Sequence, residues 1–205
     1  MSWAHVLSLS RVVAAPVVAL LILARPGDSY LLAALIFAVA SATDLVDGKL
    51  ARYSQTVSPF GVFLDTTADK VMVSLTLIAL AVAQLTEAWI PLVIIGREFL
   101  ISGLRSYAAS RNRIISAHSW GKGKTALTMI ALFTLLVAAD GRSGGTLRGL
   151  GGTAFWRHAY TVSTWSLGLA AVLTVVSGVR YLVDAWPLVR SDPDVPEVPA
   201  RPPAA

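Results

Sequence analysis

The chain has 205 residues, 55% of them hydrophobic and only 14% charged, with a positive mean hydropathy. A soluble domain carries roughly 25% charged residues, so this balance excludes an ordinary soluble fold and predicts a polytopic membrane protein. The net charge of +5 belongs at cytoplasmic membrane edges rather than on nucleic acid, and the absence of cysteine excludes disulfides, thiolate metal sites and Cys nucleophiles.

An all-α fold follows, with six spanning segments, each near the roughly 20 apolar residues that a bilayer requires. The first runs from about Val6 to Ala24 and breaks at Arg25-Pro26-Gly27-Asp28. The second runs from about Tyr30 to Leu50 and is followed by a polar turn from Tyr53 to Pro59. The third extends from about Phe60 to Leu85 and the fourth from about Ala88 to Ala109. A basic loop, Ser110 to Trp120, leads to the fifth segment at Lys122 to Ala139. A Gly-rich loop, Asp140 to Thr153, precedes the sixth at His158 to Ala185. The membrane domain is thus expected over residues 1–186, with a disordered Pro-rich tail over 187–205. Charge asymmetry favours both termini in the cytoplasm, since Lys49, Arg52, Arg111, Arg113, Lys122 and Lys124 then lie inside. His5, His118 and His158 share no metal-ligand spacing, and tryptophans such as Trp89, Trp156 and Trp186 read as interface anchors.

One stretch demands chemistry. It reads Asp44-Leu-Val-Asp47-Gly48-Lys-Leu-Ala51-Arg52, then eight residues, then Gly61-Val-Phe-Leu-Asp65-Thr-Thr-Ala-Asp69. Carboxylates in such apolar surroundings are costly and normally functional. Asp44 and Asp47 share a face of the second helix, Asp65 and Asp69 a face of the third, and the short turn makes the helices antiparallel neighbours. Four converging carboxylates repel unless cations neutralise them. Oxygen-only ligands point to Mg²⁺, Mn²⁺ or Ca²⁺ rather than Zn²⁺, and two such cations suit displacement at phosphorus. Gly48, Ala51 and Gly61 leave room for a base or sugar, and Arg52 offers a planar fork to a phosphate oxygen.

The pattern Asp-x2-Asp-Gly-x2-Ala-Arg-x8-Gly-x3-Asp-x3-Asp resembles the signature of the CDP-alcohol phosphotransferases, with every fixed position filled. The resemblance implies a six-helix membrane enzyme, usually a homodimer, that displaces CMP from a CDP-linked substrate with an alcohol. By it, Asp44, Asp47, Asp65 and Asp69 hold two divalent cations (Mg²⁺ or Mn²⁺), and Asp69 is the base for the incoming hydroxyl. Asp44, Gly48, Ala51, Arg52 and Gly61 bind the CDP moiety.

The second half bears on the acceptor. Gly96-Arg97-Glu98-Phe-Leu-Ile-Ser102-Gly-Leu-Arg105 places three charges inside an apolar helix, where they should face the bundle interior. Gly121-Lys122-Gly123-Lys124-Thr125 sets two lysines at the start of the fifth helix, beside the arginines from Arg105 to Arg113. His118 stands where a P-loop requires glycine and no strand precedes it, so that motif is rejected. Arg97, Arg105, Arg113, Lys122 and Lys124 are the candidate ligands of an acceptor phosphate, with Glu98 and Thr125 positioning them. These runs, with Leu7-Ser-Leu-Ser-Arg11, resemble the phosphatidylglycerophosphate synthase branch of the family. That branch implies CDP-diacylglycerol and glycerol 3-phosphate as substrates, in a cell (inner) membrane with the site at the cytoplasmic face. The alternatives are another acceptor (inositol phosphate, serine or phosphatidylglycerol) or, in a different class, a transporter with an intramembrane carboxylate site.

Overall fold

A computed structural model describes residues 3–24, 29–54, 59–111 and 120–190. Within its helices, the side chains of 3–6, 44–54, 59–60, 62, 120–122, 124 and 187–189 lie outside the description. The described chain is helical: α1 (Trp3–Ala24), α2 (Ser29–Ser54), α3 (Pro59–Val82), α4 (Trp89–Ser110), α5 (Trp120–Ser143), a 3-10 turn (Thr146–Leu150) and α6 (Thr153–Arg190).

Three helices are long and apolar enough to cross a membrane, over Leu7–Ala24, Thr125–Ser143 and Thr153–Trp186, and α2 adds the shorter apolar stretch Ser29–Thr43. The reason α3 and α4 fall short is visible in their sequences. Asp65, Asp69 and Lys70 interrupt α3, and Arg97, Glu98 and Arg105 interrupt α4.

Helix α5 occupies the middle of the bundle. It packs on α2, α3 and α6, while α1 lies against α2 and α3, and α4 against α3 and α6. Ala131, Leu132, Leu135, Leu136 and Ala139 of α5 are buried with Val18 and Ile22 of α1, Phe37 of α2, Leu77 and Leu80 of α3, and Leu167 of α6. The outward faces are equally apolar. Val13 and Leu20 on α1, and Val162, Trp165, Val179 and Val183 on α6, are exposed. A water-soluble protein would not present such continuous faces; the molecule is a membrane protein.

Helix ends differ from the sequence expectation in instructive places. The third helix was expected to continue to Leu85 but stops at Val82. Gln84 takes a left-handed φ of 60°, and Leu85 N–H donates to the Leu80 carbonyl while Gln84 N–H donates to that of Ala81. This is the helix-ending arrangement that glycine usually provides, here made by glutamine. Helix α5 overruns its expected end at Ala139 and finishes at Ser143, with Gly144 at φ 93° and Gly145 N–H bonded to the Asp140 carbonyl. Asp140, expected to open a loop, is fully buried in that last turn, and its carboxylate accepts Leu147 N–H at 3.0 Å. The intervening segment is partly ordered into the 3-10 turn rather than being all loop. Helix α6 begins at Thr153 and runs to Arg190, so 187–190, assigned to the tail on composition, are helical; 191–205 lie outside the described residues.

Candidate functional site

Asp65 and Asp69 lie one turn apart on α3 but meet different neighbours. Arg11 of α1, only 2% exposed, donates from Nη2 to Asp65 Oδ1 at 2.6 Å. Ser8, one turn earlier on α1, donates to the same oxygen at 3.4 Å. The Asp65 side chain is 49% exposed, so it remains open on its other side. A charge-assisted bond from a buried guanidinium fixes the orientation of the carboxylate.

Asp69 turns instead to a cleft of about 60 Å³ between α3, α4, α5 and α6. Lys70 and Ser74 share its α3 wall, Glu98 and Phe99 come from α4, Thr125, Thr128 and Met129 from α5, and Thr174 from α6. Three residues singled out from sequence, Asp69, Glu98 and Thr125, therefore line one cavity although they are far apart in the chain. Its apolar lining includes Val73, Ile94 and Ile95, while Thr128 and Thr174 are buried polar groups on it. A cleft with an apolar lining and a few convergent polar groups is the usual form of a small-molecule site.

Arg97 is not among the residues lining this cleft. Its Nη1 donates to Glu98 Oε1 at 2.7 Å, and its Nη2 approaches Ser177 Oγ at 3.4 Å. The stem packs on α6 where Gly178 leaves space; a Cβ there would meet Arg97 Cγ at 3.0 Å. Ser102 on the same stripe donates to the Glu98 carbonyl. Arg105, further along α4, is exposed.

Of the remaining expected site residues, Gly61 is on α3 one turn before Asp65 and half-buried. Asp44, Asp47, Gly48, Ala51 and Arg52 belong to the helical backbone of α2, and Lys122 and Lys124 to α5; their side chains lie outside the described residues, as does Arg113 altogether. Helix α2 reaches the cleft's edge just before that stretch, where Ser41 Oγ donates to Met129 Sδ at 3.5 Å. Among the described residues no group of three His, Cys, Asp or Glu side chains could hold a metal ion. Asp65 and Asp69 do offer only oxygen donors, and among the described residues neither imidazole nor thiolate lines the cleft, which is the donor chemistry of Mg²⁺ or Mn²⁺.

Arg11, Lys70, Thr128 and Thr174 were not singled out as site residues from the sequence. Arg11 could have been, because a lone arginine inside an apolar helix seeks a carboxylate partner. The two threonines carry no such signal, since threonine is common in spanning helices.

The family model of CDP-alcohol phosphatidyltransferase matches residues 1–176. A Bacillus subtilis (strain 168) protein named CDP-diacylglycerol–glycerol-3-phosphate 3-phosphatidyltransferase is 36% identical over 163 residues, covering 80% of this chain and 78% of its own length. A Pseudomonas fluorescens protein of the same name is 36% identical over 194 residues, 92% of each chain. A rice (Oryza sativa subsp. japonica) protein named cardiolipin synthase (CMP-forming) is 40% identical over 119 residues, 51% of this chain and 36% of its own. The chain belongs to the CDP-alcohol phosphatidyltransferase family.

Proposed function

We propose that the protein transfers the phosphatidyl group of CDP-diacylglycerol to sn-glycerol 3-phosphate, giving phosphatidylglycerophosphate and CMP. What carries the reading is the Asp motif, with Asp69 on the wall of the cleft, in a chain whose near-full-length relatives are named for this reaction.

In this reading Asp69 accepts the proton of the acceptor's primary hydroxyl. The freed oxygen attacks the phosphorus attached to diacylglycerol, and the bond from that phosphorus to the CMP oxygen breaks. Asp44, Asp47, Asp65 and Asp69 would hold two divalent cations, Mg²⁺ or Mn²⁺, which supply charge stabilisation at phosphorus and at the leaving oxygen. Arg11 keeps Asp65 aimed. Asp44, Gly48, Ala51, Arg52 and Gly61 accommodate the CDP group. Arg105, Arg113, Lys122 and Lys124 bind the acceptor phosphate, with Glu98 and Thr125 positioning them. Arg97 contributes through its contact with Glu98. The acyl chains remain in lipid beside the apolar helices, so only the head of the donor enters the cleft.

The accompanying arrangement is six spanning helices, the site and both termini on the cytoplasmic side of the cell membrane, and a homodimer. The contacts of Asp65 with Arg11 and of Arg97 with Glu98 support a spanning role for α3 and α4, because each pairs charges within the bundle.

Purified protein given CDP-diacylglycerol, Mg²⁺ or Mn²⁺ and labelled glycerol 3-phosphate yields lipid-soluble label and an equal amount of CMP. Absence of both products under every divalent cation would reject the reading.

A further inference from the structure

The end of α5 remote from the catalytic cleft borders a second cavity, of about 310 Å³. Thr125 lines the first cleft and Arg142 the second; seventeen residues of one helix between them correspond to about 26 Å. The two are separate sites.

Three arginines from three elements line this cavity: Arg142 on the last turn of α5, Arg148 on the 3-10 turn and Arg157 on the first turns of α6. Among the described residues none of them has an ion-pair partner. The carboxylate nearest in sequence, Asp140, is fully buried, is engaged with Leu147 N–H and does not line the cavity. Arg142 is braced over the Tyr160 ring at 4.2 Å, a cation–π contact that holds its guanidinium in place. Trp156 forms part of the wall; it is 7% exposed and its buried indole N–H has no acceptor among the described residues. Thr153 and Ala154 bring the N-terminal turn of α6 to the same space, with its outward N–H groups.

Three guanidinium forks and a helix start around one cavity match a phosphate group, which accepts several charge-assisted hydrogen bonds at once. The surroundings are those of a lipid. Leu150 is 80% exposed and Phe155 59% exposed, beside the arginines, and α6 continues into exposed Val162 and Trp165. We propose that this cavity binds the phosphate group of an anionic phospholipid at the bilayer interface, with the acyl chains lying along α6. The site takes no part in the transfer reaction, so its test does not depend on turnover.

The full-length protein in phosphatidylcholine nanodiscs is treated with phenylglyoxal, and modification of each arginine is followed by peptide mass spectrometry. Dihexanoyl phosphatidic acid slows modification of Arg148 and Arg157 at least fivefold, leaving Arg190 unchanged. Equal protection by the same concentration of inorganic phosphate would assign the site to a soluble phosphate instead of a lipid. No protection by either overturns the proposal. In native mass spectrometry, the Arg148→Gln/Arg157→Gln double variant retains bound phosphatidic acid at least tenfold less than the unaltered protein, with turnover unchanged. Undiminished lipid retention by that folded variant also overturns it. Should the variant not fold, the protection result on the unaltered protein decides.

Discussion

Asp65 and Asp69 share a helix face yet meet different neighbours. Asp65 has one oxygen held by a buried arginine, while Asp69 borders the cleft in which Lys70 and Thr125 also stand. In the proposed mechanism Asp69 is the base, so its loss should silence turnover. Asp69→Asn is expected to lower turnover by roughly 10² to 10⁴. Binding of a CDP-lipid, followed by equilibrium dialysis, stays largely intact. Near-normal turnover would remove its role as base. Arg11 is argued to act through Asp65. Arg11→Gln is expected to lower stability by about 1 kcal/mol, the usual value of a bond to a charged group discounted because Asp65 is half exposed. It also lowers turnover per folded molecule, and Arg11→Lys restores part of that loss. Unchanged turnover per folded molecule in Arg11→Gln would confine Arg11 to structure.

At the scale of elements, the seam between α5 and α6 depends on a close approach at Gly141. A Cβ there would overlap the indole of Trp156. Gly141→Val is therefore expected to cost roughly 1–3 kcal/mol, as overpacking does. Gly96→Ala, with open space around it on α4, should be neutral or slightly stabilising. Thermal unfolding of the two variants in one detergent checks the contrast, and equal midpoints would contradict it. The existence and order of all six helices were legible in the sequence, because runs of apolar residues broken by Pro, Gly and charge report directly on burial. Their ends were less so. Gln84 ends α3 in a conformation that sequence rules assign to glycine, so the helix read three residues too long. Asp140-Gly141 reads as a turn, but the tertiary contact with Trp156 and the bond to Leu147 keep that pair helical. The cleft shows the same division. Asp69, Glu98 and Thr125 stood out because charge or a glycine-lysine run marks them, whereas Thr128 and Thr174 join the wall only through packing that no local pattern encodes.

At the scale of the whole molecule, the aspartate stretch and the arginine cavity belong to opposite ends of the bundle, as the length of α5 requires. Because the chain has no cysteine, single cysteines can be introduced without a background. In sealed cells, Gly149→Cys should react with a membrane-impermeant maleimide from outside, and Ser54→Cys only after the membrane is opened. Labelling of both from outside would contradict the six-span arrangement with a cytoplasmic site. The acceptor decides which reaction this is, because the Asp motif resembles that of enzymes acting on a CDP-linked substrate and leaves open which alcohol receives the transferred group. The most direct measurement is CMP release from CDP-diacylglycerol by the purified protein, with glycerol 3-phosphate, inositol phosphate, serine and phosphatidylglycerol offered separately at equal concentration. Fast CMP release is expected with glycerol 3-phosphate and background release with the other three; faster release with any of those three would overturn glycerol 3-phosphate as the acceptor.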